Sequence, residues 1–272
     1  MLEILLTRVF SVATWYYFAF FAISLAMFGF TVGAIIVYLG KNFFTDERLY
    51  DRLTVFAILF GISVDIALLI FLSIPFAPRL TGVGVFATAV TYLVIAIPFV
   101  FAGVVICLCM TRFSASIGMV YAADLIGAGV GAFLVFPVLH AMDAPSAIML
   151  TGAVGALGAV CFAGDRLTAN RHMKTTAAIV FLILTAFMAV NSLYQPVRVE
   201  WVKGQYNKPE VETWNAFSRI AVYPFALKKM PYSWGISRSY DFKNIIGERM
   251  IDIDGVSQTV MTLYDGKPES VK

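Results

Sequence analysis

One apolar stretch with an acid in its interior constrains the fold of this chain more than any other feature. Residues 116–140, SIGMVYAADLIGAGVGAFLVFPVLH, are long enough for a membrane-crossing helix, which needs about 20 apolar residues. Asp124 lies well inside this run. An ionisable side chain near the middle of a bilayer costs about 2.5–3.5 kcal/mol on insertion scales. We therefore expect Asp124 to face protein or a cavity and not lipid.

The residues around Asp124 form a face of small side chains. Tyr121, Asp124, Ala128 and Gly131 follow one another at steps of three and four residues, which places them on one side of a helix. Gly127 and Gly131 add a small-xxx-small pair on the same side. Such a pair predicts that a neighbouring helix approaches closely at this face.

Two interpretations of Asp124 are open. In the functional one, Asp124 contacts a proton, a cation or a polyamine inside the bundle. In the structural one, it is a neutral acid or accepts a hydrogen bond from a Tyr, Ser or Thr of a neighbouring helix. A second intramembrane acid, Asp65, lies in another apolar run. The candidate intramembrane polar site is therefore Asp124, Tyr121 and Asp65, and no residue is assigned a catalytic role.

The composition indicates a membrane protein and makes other classes improbable. Hydrophobic residues make up 60% of the chain and charged residues 14%, whereas soluble domains carry about 25% charged residues. The net charge of +3 gives no indication of nucleic-acid binding. The three cysteines lie in apolar runs without zinc-site spacing, and the chain has two histidines, so we predict no metal and no cofactor. The glycines at 127, 129 and 131 do not follow a strand and do not have dinucleotide-site spacing.

The hydropathy pattern predicts an all-α polytopic membrane bundle of about six helices. Residues 1–12 are predicted to be a partial helix whose beginning is missing, or an interfacial segment. The transmembrane domain covers residues 13–194. A stripe of small residues at Ala22, Ala26, Gly29 and Gly33 predicts close packing of the first span. The predicted spans are residues 13–39, 54–76, 83–110, 116–140, 146–163 and 175–194.

Residues 195–272 are predicted to be a small, incomplete β-hairpin region. Residues 217–223 read as a strand, and two further strands are joined through Asp254 and Gly255, a dipeptide that favours hairpins. The segment between, residues 224–244, has no clear period and is predicted to be a loop. A few strands without a helical layer make a weak core, so we expect this region to be the start of a domain that is not finished here.

Three blocks resemble a known family. The sequences LTRVFSV, IGMVYAADLIGAGVGA and WNAFSRIAVYP are similar to the membrane-fused spermidine synthase-like proteins of bacteria. In these proteins a helical membrane region precedes a polyamine aminopropyltransferase-like domain. The segment IDGVSQT is similar to the strand-turn-strand of soluble spermidine synthases.

The resemblance has departures that decide what it implies. Soluble members carry a Gln-Asp pair in the first hairpin strand, where this chain has Ser218-Arg219, and Gln258, which matches the family's hairpin Gln, is assigned no chemistry. The nucleotide-binding domain is missing from this chain, so we expect it to be no enzyme by itself. The resemblance implies a membrane module that anchors or serves an aminopropyltransferase-like domain, with a polyamine as a possible partner. The alternatives are a small transporter-like bundle for a cation or polyamine, and a non-functional gene fragment.

The charged flanks of the spans give a conflicting topology. The loops after the first, third and fifth spans are the more basic and are predicted to be cytoplasmic, which would put the tail outside. The resemblance places a nucleotide-using domain, and with it the tail, in the cytoplasm. We expect a multi-pass protein of the bacterial inner membrane with a cytoplasmic tail. The basic residues of the first set are Lys41, Arg48, Arg52, Arg112, Arg166, Arg171 and Lys174; those of the second are Arg8, Arg79, Arg198, Lys203 and Lys208.

Overall fold

The computed structural model describes residues 1–75, 81–164, 171–206, 208–228, 232, 246–263 and 266. In these residues seven α-helices precede a region of short strands, which confirms the predicted helical bundle followed by a small β region. Arg79 and Arg166 of the topology prediction lie outside the described residues. The helices are α1 (Leu2–Ala13), α2 (Phe20–Leu39), α3 (Leu49–Ser73), α4 (Gly82–Arg112), α5 (Ile117–Ala141), α6 (Ala144–Gly164) and α7 (Arg171–Tyr194).

Six of these helices, α2 to α7, are long and apolar enough to cross a bilayer, so the chain is a multi-pass membrane protein. The predicted starts of the spans are less accurate than their number. The first span starts at Tyr16 and not at residue 13, because the backbone leaves the helix at Thr14 and is extended at Trp15. The second span starts at Asp46 and not at residue 54, because the charged segment before residue 54 already forms a 3-10 turn and the first turn of α3.

Small residues pack α2 against α4, as their stripe predicts. Gly29 and Gly33 are buried in α2. A Cβ atom added to Gly29 would lie 2.5 Å from the Phe99 Cβ, and one added to Gly33 would lie 2.5 Å from the Val100 carbonyl oxygen. Since real Cβ atoms do not come that close, only glycine permits this distance between the two backbones.

The segment predicted as partial or interfacial is a buried helix, α1. Its Leu5, Val9 and Phe10 side chains are buried in the core, which it shares with residues of α2 and α6. The apolar residues of α1 recur on one face and are covered by the bundle, which the length of the segment alone did not indicate.

The strands form one small ribbon and one larger sheet. The ribbon pairs β1 (Trp201–Val202) with β2 (Gln205–Tyr206), and the sheet contains β3 (Val211–Trp214), β4 (Arg219–Val222), β5 (Ala226–Lys228), β6 (Ile246–Ile253) and β7 (Ser257–Thr262). The strand β7 pairs with β6 along its whole length, so β4 and β5 share the other edge of β6. The strand β3 pairs with β4. All of these pairs are antiparallel.

The predicted hairpin is confirmed, and the predicted loop is wrong in part. Asp254 and Gly255 have φ angles of 54° and 67° in the turn between β6 and β7, a conformation that Gly and Asp tolerate best. Within the predicted loop, Ala226 to Lys228 form β5, whose three residues are too few to show a strand period. Apart from Tyr232, the remainder of that segment, residues 229–244, lies outside the described residues.

Candidate functional site

The helix α5, which carries Asp124, packs less tightly than any other span. In its apolar window 11% of the residues are buried, against 50% in α6. No atom lies within 4 Å of a Cβ added to Gly127, and Gly131 is approached only by Met1, at 3.5 Å. The close helix contact that the glycine pair predicts is therefore not made by the described part of this chain.

Asp124 lies where two cavities between α5 and the bundle meet. A cavity of about 650 Å³ extends from Asp124 to Tyr50 and Phe113, near the ends of the helices. A second, of about 850 Å³, extends from Asp124 to Gly131 and Leu134. Both volumes are in the range of small-molecule sites. Asp124 lines both cavities but is itself exposed, and no hydrogen bond between described residues involves its carboxylate.

The other two residues of the candidate polar site do not line these cavities. Asp65 is 4% exposed between α3 and α6, where a Cβ on Gly152 would lie 3.2 Å from its Oδ1 atom. Among the described residues, neither Asp65 oxygen has a hydrogen-bond partner, and Asp65 lines neither cavity. Tyr121 is 55% exposed and also lines neither cavity. The structure therefore separates Asp65, in α3, from Asp124, whereas Tyr121 lies one helical turn before Asp124 on α5.

A buried polar network fixes the start of α6. The Ser146 backbone N–H donates to Asp143 Oδ1 at 2.8 Å, and the Ser146 hydroxyl donates to Asp143 Oδ2 at 2.9 Å. Asn191 of α7 donates to the Ser146 hydroxyl at 2.9 Å and accepts from the Val197 N–H at 2.8 Å. Burial raises the pKa of the Asp143 carboxyl, and the hydrogen bonds from Ser146 oppose this change. The network ties two helix ends to the chain that enters the sheet.

A buried arginine is the centre of the sheet region. The Arg219 side chain is fully buried; its Nε donates to Glu212 Oε1 at 2.9 Å and its Nη2 to the Val199 carbonyl at 3.1 Å. Glu212 raises the pKa of Arg219 against the opposing effect of burial. The indole N–H of Trp214 donates to the same Glu212 oxygen. Arg219 is therefore a buried ion-pair partner within the sheet.

The ribbon and the sheet are both joined to α1. The Lys203 N–H donates to the Ala13 carbonyl at 2.8 Å, and Arg8 Nη2 lies 3.4 Å from Asp254 Oδ1. The Lys203 ammonium donates to the Asp254 carbonyl and lies 5.5 Å from the centre of the Trp15 ring. These contacts hold the β6–β7 turn against the end of the bundle.

Sequence reasoning did not find these two networks, although one of them has a sequence signal. Asp143, followed by Ser146 at the start of an apolar run, is a common helix N-cap pattern. The partners of Arg219 have no such signal, because a sequence pattern does not show which side chains meet across strands. Within the described residues no group of three His, Cys, Asp or Glu side chains could hold a metal ion.

Comparison with known proteins gives no relative for this chain. No protein-family profile, no curated protein and no solved structure matches it.

Proposed function

We propose that this chain is the membrane module of a spermidine synthase-like protein and holds an aminopropyltransferase-like domain or subunit at the membrane surface. The observation that carries the proposal is the attachment of the strand region to α1: Arg8 lies 3.4 Å from Asp254 of the sheet, and Lys203 of the ribbon donates to the Ala13 carbonyl. A sheet fixed in this way presents its free edge in a constant position relative to the bilayer. The family resemblance of the sequence blocks supports the identity of the partner.

The outer edge of β7 is the surface that suits such a partner. The Leu263 N–H donates to the Gly247 carbonyl, so the odd-numbered N–H groups of β7 face β6 and the even-numbered ones face away. Among the described residues no strand pairs with that outer edge. An unpaired edge binds an added strand through main-chain hydrogen bonds.

The test is co-sedimentation of a tagged candidate aminopropyltransferase-like domain with membranes that contain this chain. We expect the parent chain to retain the domain. Val260→Pro, which removes an outward-facing N–H, should weaken retention, whereas Val260→Thr, which keeps that N–H, should not. Equal retention by the two variants would rule out docking at this edge, and no retention by the parent would refute the anchoring function.

We further propose that the protein lies in the bacterial inner membrane with its tail in the cytoplasm. A nucleotide-using partner is found in the cytoplasm, and this argument opposes the charge distribution of the loops. Alkaline phosphatase fused after Lys272 should be inactive, and the same enzyme fused in the loop after α2 should be active. Activity of the first fusion would contradict the assignment.

Aminopropyl transfer itself is assigned to the partner. The reaction needs a carboxylate that accepts a proton from the amine and a pocket that orients the donor. The purified chain, given putrescine and decarboxylated S-adenosylmethionine, should form no spermidine, and addition of the partner domain should restore turnover. Turnover by the chain alone would overturn this division of roles.

The second candidate function is cation transport by the helical bundle. The observation that favours it is the position of Asp124 between two cavities of the bundle. Proteoliposomes should then take up a labelled organic cation, and Asp124→Asn should abolish the uptake. Equal uptake by the parent chain and by Asp124→Asn would rule out this function.

A further inference from the structure

The cleft beside α5 combines a long apolar wall with a single carboxylate near its middle. The two cavities share Asp124 and Ile106, so together they form one cleft along α5. From Asp124 to Leu134 the larger cavity follows α5 for ten residues, or about 15 Å. Apart from its acids, the lining is apolar except for a few groups such as Tyr50, Thr151 and the cysteine thiols. The Thr151 hydroxyl already donates to the Ile148 carbonyl.

Asp124 is the acid of the lining that has no cation beside it. Among the described residues, the side chains of the lining include two acids, Asp124 and Glu3, and no lysine, arginine or histidine. The N-terminal ammonium of Met1 also lines the larger cavity, where Glu3 offsets its charge. An unpaired carboxylate in an apolar surrounding is unfavourable, and a bound cation removes most of that cost. Charge complementarity therefore selects a cationic occupant over a neutral lipid chain or an anion.

We propose that this cleft binds a long-chain primary ammonium compound, with its ammonium group paired to Asp124 and its alkyl chain in the larger cavity. The proposal names a ligand class for the second candidate function, but it concerns binding and does not require transport. A polyamine fits less well, because its additional ammonium groups would lie against the apolar wall. Glu3, the other acid, belongs to α1, and Met1, the residue before α1, approaches Gly131 about 10 Å along α5 from Asp124.

Three native cysteines report on the occupancy of the cleft. Cys107 lines the larger cavity, and Cys109 and Cys161 line the smaller one. A bound alkyl chain should shield Cys107 most, because that thiol shares the cavity that the chain fills. Binding can therefore be followed at each thiol separately. The measurement is the rate at which N-ethylmaleimide modifies that thiol, determined by mass spectrometry on the full chain in phosphatidylcholine nanodiscs.

The experiment compares dodecylamine with 1-dodecanol at equal membrane concentration. We expect the amine to slow modification of Cys107 about tenfold, which corresponds to about 1.4 kcal/mol of protection, and the alcohol to have little effect. Asp124→Asn should reduce the effect of the amine to that of the alcohol. Asp65→Asn is the matched control, because Asp65 is an intramembrane acid that lines neither cavity, and it should keep the protection.

A second variant keeps the test valid if the Asp124 variant does not fold. Gly127→Leu retains the Asp124 carboxylate but adds a side chain where no atom lies within 4 Å, so it should fill the cleft and abolish protection by the amine.

Equal protection by amine and alcohol would overturn the proposal, as would unchanged protection in Asp124→Asn or Gly127→Leu. Stronger protection by 1,12-diaminododecane would show that Glu3 also binds a cation, which the proposal excludes. Thiols shielded without amine, together with cross-linking of two chains through α5, would show that a second copy covers the cleft. Protection without cation uptake into proteoliposomes would refute transport and leave the binding site standing.

Discussion

The contrast between two glycines gives the sharpest test of the bundle. A Cβ atom on Gly33 would lie 2.5 Å from the Val100 carbonyl oxygen and 2.7 Å from the Val104 nitrogen. Both are backbone atoms of α4, so α2 and α4 must move apart to admit a methyl group. A Cβ on Gly127 would meet no atom within 4 Å. Gly33→Ala and Gly127→Ala therefore make the same chemical change in two different surroundings.

The expected change in the free energy of unfolding is the difference between two opposing contributions. Replacing glycine by alanine within a helix stabilises it by about 1 kcal/mol, and this term is common to both variants. Overpacking of a close contact costs about 1–3 kcal/mol and applies to Gly33 alone. We expect Gly33→Ala to lower the free energy of unfolding by up to about 2 kcal/mol and Gly127→Ala to leave it unchanged or raise it. The difference between the variants, about 1–3 kcal/mol, is free of the helix-propensity term.

Equilibrium unfolding in mixed micelles, with increasing sodium dodecyl sulfate and far-UV circular dichroism as the signal, measures both variants against the parent. If Gly33→Ala is as stable as Gly127→Ala, the close α2–α4 contact does not exist. If Gly127→Ala loses as much stability as Gly33→Ala, the α5 face is packed against a partner and the open cleft is wrong.

Three further predictions concern the polar networks. Arg219→Met should cost about 3–5 kcal/mol because Glu212 loses its cation, and the double variant Arg219→Met/Glu212→Leu should recover most of that loss in thermal melts. Asp143→Ala should cost about 1 kcal/mol through loss of the α6 cap, whereas Asp143→Asn, which still accepts from the Ser146 N–H, should cost less. Burial raises the pKa of Asp252 above 3.8, so the stability it contributes is present below that pH and is lost as the pH rises through the folded-state pKa. The stability of Asp252→Asn relative to the parent should therefore increase from pH 4 to pH 7, and parallel pH profiles would contradict the assignment.

The sequence predicted the elements but not all of their neighbours. The membrane spans were predictable because the bilayer fixes both the length and the hydropathy of a crossing helix. The small-residue stripe of α2 correctly predicted a close helix contact. The similar pair on α5, Gly127 and Gly131, predicted one too, but no helix of the described chain makes it. The same pattern is thus packed in one place and open in the other, because a stripe defines a face but does not define what covers it.

The sequence by itself determined that this is a multi-pass helical membrane protein with a β-hairpin at Asp254 and Gly255, since hydropathy and turn chemistry are local properties. Tertiary structure alone decided that Asp124 is exposed along a cleft while Asp65, on α3, is enclosed against α6. It also decided that Arg219 pairs with Glu212 and that α1 holds the sheet through Arg8. The physical reason is that the surroundings of a side chain are set by residues distant in sequence, and a local pattern contains no information about their approach.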